Sequence, residues 1–218
     1  VASTSIKMYN VNETYLKVYI RIIILSMANK TKTTREEILR VAVQLVREKG
    51  MGVLNARALA KIIHCSIQPI YYHFPTMVEL RDEIRSCIKQ IYNDHISSLK
   101  ASNRVIHFID VGFSYLMFAE KEPNFFKVLF MEQQNRPYGI EDATDINLDY
   151  ILSTIVDEFA LCREEALSLM EVVWVTTYGL AVMIASGYMH PSHEKISQIL
   201  YSSFYGQLKL IKTQNKEV

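Results

Sequence analysis

The chain has 218 residues, half of them hydrophobic, enough to bury a core as one large domain or two small ones. Its three cysteines, Cys65, Cys87 and Cys162, are odd in number and lack CxxC spacing, which excludes a disulfide framework and points to a reducing, cytoplasmic setting. The net charge of +1 hides a division: residues 28–90 carry 11 Lys and Arg against 6 Asp and Glu, whereas residues 91–218 carry 10 against 16. A basic lobe beside an acidic one is the footprint of a protein that meets nucleic acid with one end.

In chain order, residues 1–27 are expected to be an extension in front of the domain, either not native or disordered. Its apolar run, Tyr15 to Leu25, is broken by Lys17 and Arg21 and is too short for a membrane span, which needs about 20 apolar residues. A short basic arm with Lys30 and Lys32 follows, of the kind that reaches phosphates or a minor groove. Thr33 or Thr34 then caps a first helix. Glu36 and Glu37 suit its N-terminal dipole, Ile38, Leu39, Ala42, Leu45 and Val46 form its inner stripe, and Lys49-Gly50 ends it. Val53 and Leu54 are expected to plug the junction with what comes next.

The stretch Asn55 to Leu80 reads as two short helices across a tight turn and the start of a third. Asn55 caps the first, whose apolar face is Leu59, Ala60, Ile62 and Ile63. A break falls at His64-Cys65-Ser66. Ser66 is then expected to cap a second helix from Ile67, with Pro69 in its first turn, where a missing N–H costs little. Ile70, Tyr71 and Phe74 are expected to face inward, leaving Ile67, Gln68, Pro69 and Tyr72 exposed with His73 nearby. Two short helices joined in this way form a helix-turn-helix, whose second helix enters the DNA major groove.

At these residues the chain resembles the N-terminal domain of the TetR (tetracycline-repressor) family of bacterial transcription regulators. The resemblance runs over Thr33 to Ile84, about a quarter of the chain. It is carried by Glu37-Ile38-Leu39 with Ala42 and Leu45, Lys49-Gly50, Arg57 with Leu59-Ala60, Cys65-Ser66, Ile70-Tyr71-Tyr72-His73-Phe74 and Glu79-Leu80. Two positions depart from the family pattern: His64 stands where a turn glycine is usual, and Met77 where a phosphate-binding Lys is usual. The resemblance implies a DNA-binding domain over 28–76 and a ligand-binding and dimerisation domain over 77–218. It implies that Lys30, Lys32, Arg57, Ser66, Tyr71 and His73 mainly hold the phosphates of double-stranded DNA, while Gln68, Pro69 and Tyr72 meet base edges, with Asn55 and Ile67 also in the DNA-binding set. Gln pairs well with adenine.

The remainder reads as helices over Thr76–Ser98, Asn103–Lys121, Glu122–Met131, Thr144–Leu161, Arg163–Tyr188 and Ser192–Thr213, with a mobile loop over Asn135–Asp145. No stretch alternates with period two, so the fold class is all-α: a three-helix helix-turn-helix domain followed by a helical bundle. The helix from Thr76 is given an inner side of Val78, Leu80, Ile84, Cys87, Ile88, Ile91 and His95 or Ile96, with His95 read as a satisfied core histidine. Aromatic and Met residues crowd 113–118, 125–131 and 174–183. Such a bundle can hold a small apolar or aromatic effector, with Phe113, Met117, Phe126, Trp174, Thr177 and Tyr178 as candidate lining. The Trp174-x3-Tyr178-Gly179 run resembles a TetR subtype with Trp-x3-His-Gly, Tyr178 replacing the His. By the same resemblance the last two long helices form a homodimer interface, and the two-fold axis calls for a palindromic operator.

No catalytic constellation, metal-ligand set or cofactor motif is found. His190 and His193 read as a solvated turn, and no membrane partner is expected. The rival reading is an all-α small-molecule-binding protein or enzyme with a vestigial helix-turn-helix.

Overall fold

The computed structural model describes residues 33–100, 108–132 and 148–214. The expected extension, the basic arm with Lys30 and Lys32, the loop over 135–145 and the starts at Asn103 and Thr144 lie outside them. The described elements are α1 (Arg35–Lys49), a 3-10 turn (Met51–Val53), α2 (Ala56–Ile63), α3 (Gln68–His73), α4 (Met77–Lys100) and α5 (Phe108–Lys121). Then come α6 (Pro123–Phe126), a π-helical turn (Lys127–Met131), α7 (Leu148–Phe159), α8 (Arg163–Ala185) and α9 (His193–Gln214). The described residues contain no strand, and the protein is all-α.

Helix ends follow the capping chemistry of the sequence. Thr34 Oγ1 accepts from the Glu37 N–H at 3.2 Å, and Asn55 Oδ1 accepts from the Ala58 N–H at 2.9 Å, each satisfying a donor with no partner inside its helix. Thr76 and Ser192 do the same for Glu79 and Lys195. The Cys162 N–H donates to the Glu165 carboxylate at 2.7 Å at the start of α8. Gly50 closes α1 at φ +80°, with its N–H on the Val46 carbonyl.

Backbone contacts divide the chain into two compact units. The first takes the described residues through Gln44 with Leu54–Ile84; the second takes Leu45–Val53 with the described residues from Arg85 onward. In the first, Ile38, Ala42, Leu54, Leu59, Ile70, Phe74, Leu80 and Ile84 make the core. Arg35 closes one side. Its guanidinium lies over the Phe74 ring, 4.7 Å from the centroid, and donates through both terminal nitrogens to Glu83.

In the second unit α8 is the central helix, packed against α5, α6, α7 and α9. Phe118, Phe125, Phe126, Leu116, Leu169, Ile196, Leu200 and Phe204 fill this core. Glu122 is a buried carboxylate at the corner between α5 and α6, and the Arg47 Nε donates to it at 2.8 Å. Asn124 adds a bond from its side-chain amide to the Arg47 carbonyl at 2.9 Å. A buried charge needs such a partner, because desolvating an unpaired carboxylate is costly.

Several expectations need correction. Val53 is exposed, and Met51 is the 3-10 turn residue buried instead. Val78 points to solvent, one turn-step off the stripe of Leu80, Ile84 and Ile88. The segment 122–131 is not one α-helix: α6 gives way after a single turn to a π-turn that closes with the Glu132 N–H on the Lys127 carbonyl. Helix α8 stops at Ala185, short of Tyr188, because Gly187 takes φ +76°.

Candidate nucleic-acid interface and aromatic cluster

The helix-turn-helix is built by α2 and α3. Its turn forms at His64, which adopts φ +60°, ψ +44°, the left-handed conformation that glycine would take without strain. Its N–H bonds the Ala60 carbonyl, and the Cys65 N–H bonds the same oxygen at 3.0 Å. The turn thus gains from two capping bonds what it loses in side-chain crowding.

Ser66 does not cap α3. The N-cap is Ile67, which has no side-chain bond to offer, so the helix is started by Pro69 with its fixed φ. Ile70 and Phe74, four residues apart, are buried and fix the helix in its unit. Tyr71, expected inward, is 44% exposed. In a helix each step turns the side chain by 100°, and Ile70 with Phe74 already fills the inner face. Tyr72 is 80% exposed, and Ile67, Gln68 and Ser66 lie on the surface beside it, with Pro69 half-buried. The outer face of α3 is therefore Ile67, Gln68, Tyr71 and Tyr72: one amide among apolar or aromatic tips. Such a set can pair with adenine and touch thymine methyl groups.

The remaining candidates sit differently. Arg57 is exposed on α2. Asn55 is exposed and its side-chain oxygen accepts from the Ala58 N–H. His73 is half-buried, its Nε2 3.1 Å from the Thr33 carbonyl, and its ring packs edge-on against Tyr72 at 5.0 Å. The Nε2 contact links the end of α3 to the residue two before α1.

In the second unit, the candidate lining residues split. Phe126, Trp174 and Tyr178 are brought together, around Tyr115 and Phe130: ring centroids are 5.1 Å for Tyr115–Phe126, 5.0 Å for Tyr115–Phe130, 5.5 Å for Tyr115–Trp174 and 6.0 Å for Trp174–Tyr178. Tyr92 of α4 closes the group on Phe130 and Phe118 at 5.1 Å each. The Tyr178 hydroxyl donates to the Phe130 carbonyl at 2.9 Å, taking up an acceptor at the end of the π-turn. Phe113 stands apart, edge-on to His193 at 5.9 Å. Thr177 is buried with its hydroxyl donating to the Val173 carbonyl, where it packs beside Gly112. Met117 is buried in the core.

Tyr92, Tyr115 and Phe130 were not singled out by sequence. The signal was available: Phe126 with Phe130 and Trp174 with Tyr178 are i, i+4 pairs, which share one helix face. Among the described residues no cluster of three His, Cys, Asp or Glu side chains is arranged to hold a metal ion. His193 begins α9 with its Nε2 3.1 Å from Glu120.

A helix-turn-helix unit with a surface-facing second helix belongs to the class of proteins that dock on duplex DNA. Residues 38–84 match the model of the family described as bacterial regulatory proteins, tetR family. This segment is thus similar to the DNA-binding domain of tetR-family transcription regulators. No curated protein matches it.

Proposed function

We propose that the protein is a cytoplasmic repressor that binds a palindromic operator as a homodimer and is released by a small apolar or aromatic effector. One observation carries the DNA arm: α3 is held from within by Ile70 and Phe74 while it presents Ile67, Gln68, Tyr71 and Tyr72 outward. Gln68 with Tyr72 and Pro69 reads base edges; Arg57, Tyr71 and Ser66 meet phosphates, joined by Lys30 and Lys32 of the preceding arm. The effector enters the second unit at the aromatic cluster. Binding there favours a spacing of the two recognition helices that misfits adjacent major grooves, and by linkage DNA weakens effector binding by the same factor.

Support for the dimer comes from α8 and α9. By length and composition α8 could cross a membrane, with a mean hydropathy of 1.7 over its most apolar window, yet only 39% of that window is buried within the chain. Val172 and Val175 are exposed on it, and Tyr201, Tyr205 and Leu210 are exposed on α9. The Tyr201 and Tyr205 rings stack in parallel, 6.0 Å apart. Gly179 and Gly206 lie inside these helices with open space where a Cβ would go, so no contact among the described residues calls for them. A partner copy lying close along the pair would cover the apolar face and use the glycines.

The test is a titration of the dimer against DNA upstream of its own gene at two salt concentrations. Sequence-specific binding that weakens steeply with salt is expected, since phosphate contacts release counterions. Gln68→Ala should lose about 1–3 kcal/mol of discrimination at one base pair of each half-site. Absence of binding at low salt would sink the proposal.

A further inference from the structure

The Tyr115 hydroxyl is buried and has no hydrogen-bond partner among the described residues, although its ring lies at the centre of the aromatic cluster. Buried hydroxyls are as a rule satisfied, because leaving a donor unpaired forfeits its bond to water. Its neighbour Tyr178 shows the usual solution, donating to the Phe130 carbonyl. Tyr115 sits among rings from three other segments of the chain: Tyr92 on α4, Phe126 and Phe130 on α6 and the π-turn, and Trp174 on α8. None of these side chains carries a charge. Burial holds the Tyr115 phenol far above its ordinary titration range, with Tyr92 and Tyr178 pushing the same way, so it stays a neutral donor at every physiological pH. Beside it, the backbone leaves α-geometry at Lys127–Met131, a π-turn of the sort that recurs at functional sites.

We infer that Tyr115 is the polar anchor of the effector site, and that the effector is an uncharged aromatic molecule whose carbonyl-type oxygen accepts a hydrogen bond from the Tyr115 hydroxyl. This rests on the proposed ligand-responsive function. The flat body of the molecule stacks among Phe126, Phe130 and Trp174, and its oxygen replaces the missing partner. A carboxylate would meet no cation among these rings and would be buried unpaired, so anionic ligands are selected against.

The probes are 1-tetralone and its hydrocarbon counterpart tetralin, which differ by one carbonyl oxygen. The full chain has a single tryptophan, Trp174, so its indole N–H gives one resonance in a 15N-labelled sample, at the edge of the proposed site. Tetralone is expected to shift that signal with an affinity about three- to tenfold above tetralin, the worth of one neutral hydrogen bond. In Tyr115→Phe the two probes should bind equally, tetralin unchanged, and the free variant should melt at the same temperature or higher, since no native bond is lost. Equal affinities in the unaltered protein, a preference that survives in Tyr115→Phe, no shift with either probe, or a lowered melting temperature in the variant would each overturn the assignment. DNA titration of the same sample separates the two ideas: specific DNA binding without a tetralone preference removes the anchor alone, whereas a tetralone preference without DNA binding removes the repressor reading alone.

Discussion

Tyr72 on α3 and Tyr115 on α5 are the same residue used in opposite ways. Tyr72 is 80% exposed, its ring edge-on to His73; Tyr115 is 3% exposed and ringed by aromatics. The first unit buries Ile70 and Phe74 of α3 and leaves Tyr72 of the same helix in water. The second unit gathers its rings in one interior cluster. What this teaches is that aromatic content alone does not define a site. An aromatic that the fold leaves in water is available for a partner, while a buried one is structural unless some polar atom on it remains unsatisfied.

The contrast can be broken by truncation. Phe126→Ala should destabilise the second unit by about 3–5 kcal/mol, the usual result of emptying a buried ring site. Tyr72→Ala should change stability by no more than about 0.5 kcal/mol, as surface substitutions do, while abolishing site-specific DNA binding. Thermal melts and gel shifts on both variants check the pair; a large stability loss in Tyr72→Ala would mean that the ring is part of the core. A smaller effect is expected at the turn. His64→Gly should relieve the left-handed strain and raise the melting temperature by 2–4 °C for about 1 kcal/mol gained. No gain would show that the two bonds at the Ala60 carbonyl already hold the turn without strain.

The smallest effect is a pH slope. His95 is buried, with its Nε2 near both the carbonyl (3.1 Å) and the hydroxyl (2.9 Å) of Ser114. Burial depresses its basicity below the ordinary value of 6.5, and Lys121 acts in the same direction. With the folded state binding fewer protons than the unfolded chain, stability is complete above pH 6.5 and is lost as pH falls toward the lowered folded value. Melting temperatures between pH 5 and 8 should therefore drop at the acid end, and His95→Gln should flatten that drop.

Much of this was legible from residue order. Asn55, the break at His64, the closing Gly50 and the pair Ile70 and Phe74 each obey a local rule, and the helix-turn-helix is made almost entirely of local rules. The errors fall where the rule is not local. The i, i+1, i+4 spacing of Ile70, Tyr71 and Phe74 points Tyr71 inward, but six residues do not phase a helix, and Tyr tolerates either side because its hydroxyl can stay in water. Val78 failed for the same reason at the first turn of α4. The crowding of aromatics over 113–118 points to Phe113, yet two steps along a helix separate it from Tyr115 by 200°, and it meets His193 instead. The cluster depends on α4, α5, the π-turn and α8 converging, which no periodicity in one segment reveals. His95 was readable as a core histidine; its partner Ser114 was not.

The lone indole at Trp174 makes one half of the molecule luminous and leaves the other dark. Tyr115 and Tyr178 lie within 6.0 Å of it, close enough to pass their excitation energy to the indole, whereas the helix-turn-helix contains no tryptophan at all. Emission on heating would thus follow the second unit only, while circular dichroism follows helices in both. Coincident transitions would mark a single cooperative melt, and separate ones would time the loss of the DNA-binding unit against its own partner within a single cuvette.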